Sequence, residues 1–266
     1  MDAEPGHRPD SERIELFDTH CHLNLPDAFP DPDAEIEFAR SNGVSWLCLI
    51  GIDVETSRTA LDIAERNERV YASVGWHPSS AEGYGQAEKR ELRRLAEHPK
   101  AAAIGEIGLD YHWQTASPNA QHSCLLDQLL LASEVGKPAV FHCRDAWDDL
   151  LSLLEGRPPL RYLFHCFSGT PDHAKRCIAL GGLLGFDGPI TFPKAEGLRQ
   201  ILRSTPRDRI VLETDSPYLA PAPFRGKPNR PAYLAYINEA AAAALALEPE
   251  ECARVTTAAA RGFFSV

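Results

Sequence analysis

Eight short apolar segments recur along the chain, each separated from the next by a helix-like stretch, and this alternation limits the possible folds more than any other feature. The segments cover residues 15–18, 44–50, 70–74, 101–104, 139–141, 161–164, 182–186 and 209–212. Their length and β-forming content predict buried strands. Helical patterns lie at 33–41, 55–67, 86–97, 119–135, 146–155, 171–180, 195–203 and 230–246, with a last helix expected over 249–261. Gly43, Gly136 and Gly181 follow helical runs as C-caps, and Pro171 and Pro249 suit helix starts. Strands alternating with helices imply βαβ units and a parallel sheet. Eight such units imply a closed (β/α)8 TIM barrel rather than an open sheet. The chain has 266 residues, which suits one barrel of about 250 residues. The expected organisation is a flexible N-terminal tail over 1–13 and a single barrel domain over 14–266.

Composition narrows the setting. No apolar run is long enough to span a membrane. The polar start lacks the apolar core of a secretory signal. Seven cysteines at scattered spacings, with no CxxC pair, favour reduced thiols and a cytoplasmic location. A monomer is the expected state. The net charge of −11 argues against broad electrostatic binding of nucleic acid. It leaves room for a local phosphate site, because bound divalent ions can dominate the local field.

In barrels of this class, catalytic groups come from the C-terminal ends of the strands. Strand one ends in Asp18-Thr19-His20-Cys21-His22, strand three in His77, and strand four in Glu106 between Gly105 and Gly108. Strand five ends in His142-Cys143-Arg144, strand six in His165-Cys166, and strand eight in Glu213-Thr214-Asp215. A carboxylate at the end of a buried strand is costly unless a cation or hydrogen bonds satisfy it. Side chains on a strand alternate with period two. His20 and His22 therefore share a face, as do His142 and Arg144, while Cys21, Cys143 and Cys166 turn toward the helix layer. An isolated HxH is weak evidence for a metal. Here it stands at one rim with His142, His165, Glu106 and Asp215, a mixed nitrogen and oxygen donor set that suits Zn²⁺, Mn²⁺ or a similar divalent ion. His98, His122 and His173 are expected on the surface, and His7 in the tail. Asp110, Tyr111 and His112 either line the rim or belong to a loop. Asp18 could bond neighbouring backbone, and Glu213 could orient a ligand.

The segments FDTHCHL, VGWHP, GEIGLDY, FHCRDA, HCFSG, and LETDSPYLAP followed by FRGKPN resemble the TatD family of metal-dependent deoxyribonucleases, within the amidohydrolase-type barrels. The resemblance runs from about residue 16 to residue 264. It implies a two-metal phosphodiesterase. His20, His22 and Asp215 would serve one ion, His142 and His165 the other, and Glu106 would bridge them. Glu106 and Asp215 would be the catalytic carboxylates, with Asp215 taking a proton from the attacking water. The cofactors would be two divalent ions, Mg²⁺, Mn²⁺ or Zn²⁺. The substrate would be DNA, single-stranded or at 3′ ends, cut as by a 3′-5′ exodeoxyribonuclease. His77 and Arg225 match further rim positions, and Arg144 and Lys227 are added candidates for phosphate contacts. Trp76 and Trp113 either stack on bases or pack at the rim.

The chain departs from the family pattern at Arg230, where Asn-Glu-Pro is usual, at Asp187, where Phe-Ser-Gly is commoner, and at Ala259, where an Asn is often seen. None of these removes a ligand. A barrel does not fix its substrate. One alternative is a metallohydrolase of small esters or amides, or a deacylase of aminoacylated RNA. Many relatives in the wider amidohydrolase group bridge their ions with a carboxylated Lys; Glu106 at that strand end favours the TatD reading. A metal-binding barrel without catalysis is a further alternative, against which the complete ligand set argues.

Overall fold

The computed structural model describes residues 15–158 and 160–266, so the tail expected over 1–13, with His7, lies outside the described residues. Eight parallel strands follow one another in chain order around a single sheet. They are β1 (Leu16–Cys21), β2 (Val44–Ile50), β3 (Val70–Val74), β4 (Ala101–Asp110), β5 (Ala139–Arg144), β6 (Tyr162–Phe164), β7 (Leu183–Phe186) and β8 (Ile210–Leu212). Helices α1 (Pro32–Ser41), α2 (Val54–Arg66), α3 (Gln86–Ala96), α4 (Pro118–Val135), α5 (Trp147–Leu154), α6 (Pro171–Ala179) and α7 (Glu196–Ser204) fill the seven intervals. Helices α8 (Leu234–Leu245) and α9 (Pro249–Phe264) follow β8. The ring closes between β8 and β1. Cys21 and Ser216 form a parallel bridge, Asp215 N–H donates to His20 O at 2.8 Å, and His22 N–H donates to Ser216 O at 2.8 Å. Asp18 reinforces the seam by accepting from Thr214 N–H at 2.9 Å and from the Thr214 hydroxyl at 2.6 Å.

Local chemistry starts and stops the helices as expected. Asp53 and Thr56 make a reciprocal capping box at α2, and Thr170 with His173 does so at α6. Gly136 ends α4 in the left-handed region at φ 68°. The expected helix over 230–246 begins later. Pro231 lacks an N–H and holds Arg230 extended at φ −141°, ψ 149°, so a 3₁₀ turn precedes α8.

The barrel interior is packed, not open. Phe17, Trp46, Cys48, Val140, Leu163 and Val211 form one buried cluster with Phe263 and Phe264 of α9. Phe17 stacks on Phe264 with ring centroids 5.4 Å apart. Helix α9 thus covers the N-terminal mouth, leaving the opposite face for polar groups.

Arg230 ties the loop after β8 to α1. Its Nε and Nη2 donate to the two Glu35 oxygens at 2.9 and 3.0 Å, and its guanidinium lies 4.0 Å from the Phe38 ring centroid. A bidentate pair and a cation–π contact, both partly exposed, together contribute about 1–2 kcal/mol. Arg230→Ala is therefore expected to lower stability by about that amount in urea unfolding. Metal content should stay at the parent level.

Candidate metal centre

Glu106 stands on β4 where two glycines let the neighbouring strands crowd in. A Cβ on Gly105 would lie 2.7 Å from the Val140 Cβ. A Cβ on Gly108, at φ +145°, would lie 1.9 Å from the His142 carbonyl oxygen, so only glycine fits there. This close approach carries β4 on to Asp110, beyond the expected end at Ile104.

The six groups expected to bind metal converge. Glu106 presents one oxygen to each side. Oε1 lies 2.8 Å from His165 Nε2 and 2.9 Å from His142 Nδ1, and Oε2 lies 3.5 Å from His20 Nε2. On the His20 side, Asp215 Oδ1 lies 3.4 Å from His22 Nε2 and 3.7 Å from His20 Nε2. Ligands held at about 2.0–2.2 Å by one ion stand roughly 3–3.5 Å from each other, so these separations suit shared ions. Donor atoms of His20, His22 and Asp215, and again of His20, Glu106 and His165, fall within 4.8 Å of one another. Neither ring nitrogen of His20 completes a hydrogen bond, although the side chain is fully buried. An orphaned imidazole among carboxylates is the arrangement a cation would satisfy.

The electrostatics agree. Burial works against a charged Glu106, yet His165, His77, His20 and the bond from His142 hold its carboxyl well below the usual carboxylate range. Burial likewise opposes an ionised Asp215, and His22, His165 and His20 outweigh it. Burial pushes His20 below its ordinary value, and the His165 ring, stacked at 3.8 Å, adds to this.

Two carboxylates orient the histidines from behind. His142 Nε2 lies 2.9 Å from Asp110 Oδ2, which turns Nδ1 toward Glu106. Asp110 Oδ1 accepts from His112 N–H and Trp113 N–H. Glu213 lies 3.4 Å from His165 Nδ1, and it also accepts from Cys166 N–H and the Thr19 hydroxyl. Such partners fix ring orientation, and their loss commonly weakens metal binding by about 10–100-fold. Asp110→Asn is expected to lower metal affinity within that range, measured by competition with a chromophoric chelator.

His77 forms, with Glu106 and His142, a third group whose donor atoms fall within 4.8 Å of one another. Its Nδ1 accepts from Ser79 N–H at 3.1 Å, which leaves the proton on Nε2, 3.6 Å from Glu106 Oε1. Burial pushes the ring down to about 4. A neutral N–H donor facing the centre suits an anionic oxygen.

The expected phosphate contacts lie farther out. Arg144 is exposed, with its guanidinium 5.4 Å from the ring of Trp113. Arg225 is exposed over Phe192 at 4.5 Å, and Lys227 is exposed in the same loop. Among the described residues, no side-chain hydrogen bond or ion pair joins any of the three to the histidine–carboxylate cluster, although the Arg144 backbone pairs with Asp110 across β4 and β5. Trp113 is 62% exposed, whereas the Trp76 indole donates to Ser80 O and braces its own loop. Cys21 and Cys143 pack toward the helices as expected. Cys166 does not. Strand β6 stops at Phe164, and Cys166 turns to φ 44°, so strand alternation no longer applies and its side chain lines a rim cavity. His122 is half-buried and pairs with the Tyr111 hydroxyl at 2.8 Å, rather than lying free on the surface. Two residues beyond the six expected ligands stand at the site: Asp110, for which rim and loop were both open and whose spacing of four from Glu106 puts both on one strand face, and Tyr218. Tyr218 is 53% exposed, with its ring edge-on to His22 at 5.9 Å.

Comparison with known proteins places this geometry among relatives. The family model described as TatD related DNase matches residues 17–265. The chain is 37% identical to the uncharacterized metal-dependent hydrolase YabD of Bacillus subtilis, over 94% of this chain and 99% of that protein. It is 36% identical to the 3′-5′ ssDNA/RNA exonuclease TatD of Enterobacter lignolyticus, over 84% and 88% respectively. Among solved structures, the crystal structure of YJJV, a TatD homologue from Escherichia coli, superposes with a TM-score of 0.86 at 29% identity, covering 94% of this chain and 98% of its own.

Proposed function

The chain belongs to the family of TatD-related DNases, and on that premise we propose that this metal-dependent hydrolase cleaves phosphodiester bonds in single-stranded DNA, proceeding from 3′ ends. One observation carries the reading: Glu106 turns its two oxygens to two separate histidine groups, as a carboxylate shared by two ions would. Relatives named 3′-5′ ssDNA/RNA exonuclease support the choice of substrate and direction.

Two divalent ions, Mg²⁺, Mn²⁺ or Zn²⁺, supply when bound the acidification of a water and the polarisation of a phosphoryl oxygen. His20, His22 and Asp215 would hold one, His142 and His165 would hold the other, and Glu106 would serve both. Asp215 stays ionised beside His22, so it can accept the proton of the attacking water. His77 donates from Nε2 to a non-bridging phosphate oxygen, at no cost in buried charge because the ring is neutral. Asp110 and Glu213 hold the rings of His142 and His165 in register with Glu106. Arg144, Arg225 and Lys227 stand at the rim for phosphates flanking the cut, where solvent screening keeps each contact weak.

The test is cleavage of end-labelled single-stranded DNA by metal-stripped protein, with Mg²⁺, Mn²⁺ and Zn²⁺ restored separately. Stepwise loss from the 3′ end is expected. Turnover of small esters or aminoacylated RNA without DNA cleavage would replace this reading with the ester-hydrolase one.

A further inference from the structure

Positive charge is unevenly spread at the end of the barrel that carries the metal centre. The connections leading out of the strands there cover residues 22–31, 51–53, 75–85, 111–117, 145–146, 165–170, 187–195 and 213–233. Every Lys or Arg in them falls in the last two: Lys194, Arg225, Lys227 and Arg230. Beyond the strand ends these two connections hold no acid. No Asp or Glu occurs from Gly188 to Ala195 or from Ser216 to Asn238, in a chain with 38 such residues. Arg144, at the end of β5, is by contrast followed directly by Asp145.

Glu35 takes up the charge of Arg230. Lys194, Arg225 and Lys227 are exposed, and among the described residues none of the three forms an ion pair. Elsewhere Arg58, Arg66, Arg93, Arg176 and Arg199 all pair with carboxylates. Like charges gathered without partners do not stabilise a fold, but they do attract an anion.

The two connections form one surface. Strands β7 and β8 are neighbours, Ala222 N–H donates to the Thr191 hydroxyl at 2.9 Å, and the Arg225 guanidinium lies over Phe192. The surface is apolar as well as basic. Of the six large apolar side chains exposed among the described residues, Tyr218, Leu219 and Tyr236 stand here, Tyr236 with its ring edge-on to Phe224 at 5.1 Å. It begins at the metal centre, where Tyr218 N–H donates to Asp215 O at 2.8 Å and the Tyr218 ring stands beside His22. Basic side chains interleaved with exposed aromatic rings make up surfaces that bind single strands, the cations following phosphates and the rings taking bases.

We infer that the connections after β7 and β8 bind the single strand beyond the scissile phosphate, so that the body of the DNA leaves the metal centre on this side of the barrel. Lys194, Arg225 and Lys227 hold backbone phosphates, and Tyr218 and Tyr236 offer ring faces to bases. This route rests on the nuclease reading, which supplies the position of the cut.

The closing experiment measures binding of metal-loaded protein to fluorescent thymidine oligonucleotides of two, four and ten residues, joined by phosphorothioate linkages that resist cleavage. Affinity should rise at least about tenfold from two residues to ten. Lys194→Gln, Arg225→Gln and Lys227→Gln together should remove most of that rise. They should also lower the slope of log affinity against log salt by about 2, at roughly 0.7 for each phosphate contact. Arg58→Gln, Arg94→Gln and Lys175→Gln together remove the same charge from α2, α3 and α6, and should leave length dependence and slope at the parent values. Metal content of both triple variants checks folding. Affinity independent of length in the parent, or an equal loss in the two triple variants, would overturn the route. Parallel assay on unmodified single strands separates this from the nuclease reading. Stepwise cleavage without length-dependent binding would reject the route alone. Length-dependent binding that the loop variant loses, without any cleavage, would reject the nuclease assignment and leave a strand-binding surface.

Discussion

On the two-ion nuclease reading proposed above, replacing Glu106 by Gln is expected to reduce bound metal from two ions per chain to one or fewer, and DNA cleavage by about 10³-fold. The substitution keeps the shape of the side chain and removes its charge. It also points an amide N–H₂ at imidazole nitrogens that lie 2.8–3.5 Å away in the parent. The lost term is the electrostatic stabilisation that two ions give a phosphoryl transition state, several kcal/mol. At about 1.4 kcal/mol per tenfold in rate, that is roughly three orders of magnitude. Atomic emission on desalted protein gives the stoichiometry, and initial rates on end-labelled DNA give the loss. A variant that keeps two ions and full turnover would remove Glu106 from the bridging role.

The groups that were legible from the sequence share a physical cause. His20, His22, His142, His165 and Asp215 stand at or just beyond strand ends and Glu106 in the C-terminal half of β4, where period-two alternation and the direction of a parallel barrel act on local sequence alone. What could not be read depends on tertiary contact. Asp110 belongs to the site because β4 continues past Glu106, and it continues because Gly108 lets the His142 carbonyl come close. Cys166 leaves the alternation because β6 stops at Phe164. Arg144 follows His142 by two residues but lies against Trp113 from the loop after β4, a partner that spacing does not reveal. The partner of Arg230, Glu35, is 195 positions away in the chain. From the sequence Arg230 is only a departure from the family pattern, whereas the structure ties it to α1.

The same side-chain network makes metal uptake a proton-releasing event. Burial disfavours a charged His165, but the Glu106 carboxylate 2.8 Å from Nε2 and the Glu213 carboxylate 3.4 Å from Nδ1 hold its ring well above the ordinary histidine value. His142 is raised as well, because its bonds to Asp110 and Glu106 outweigh burial. In the metal-free protein the His165 ring favours the doubly protonated form near neutral pH, and His142 is shifted in the same direction. A histidine must give up that proton to ligate a metal. His20, pushed down by burial, is already neutral and releases none. Loading at pH 7 should therefore release between about one and two protons per chain. Titrations in buffers of different ionisation enthalpy read that number directly. Stability follows with opposite signs in the two states. A folded pKa above the unfolded value of about 6.5 gives His165 a contribution that is complete below that pH and is lost as pH rises through the folded value. Metal binding strengthens over the same range, because fewer protons compete for the ligands. The gap in melting temperature between metal-loaded and chelated protein should thus widen from pH 6 to pH 8. A constant gap, together with heats that do not depend on the buffer, would mean that His165 meets the metal already neutral, and that Glu106 lacks a charged partner in the metal-free state.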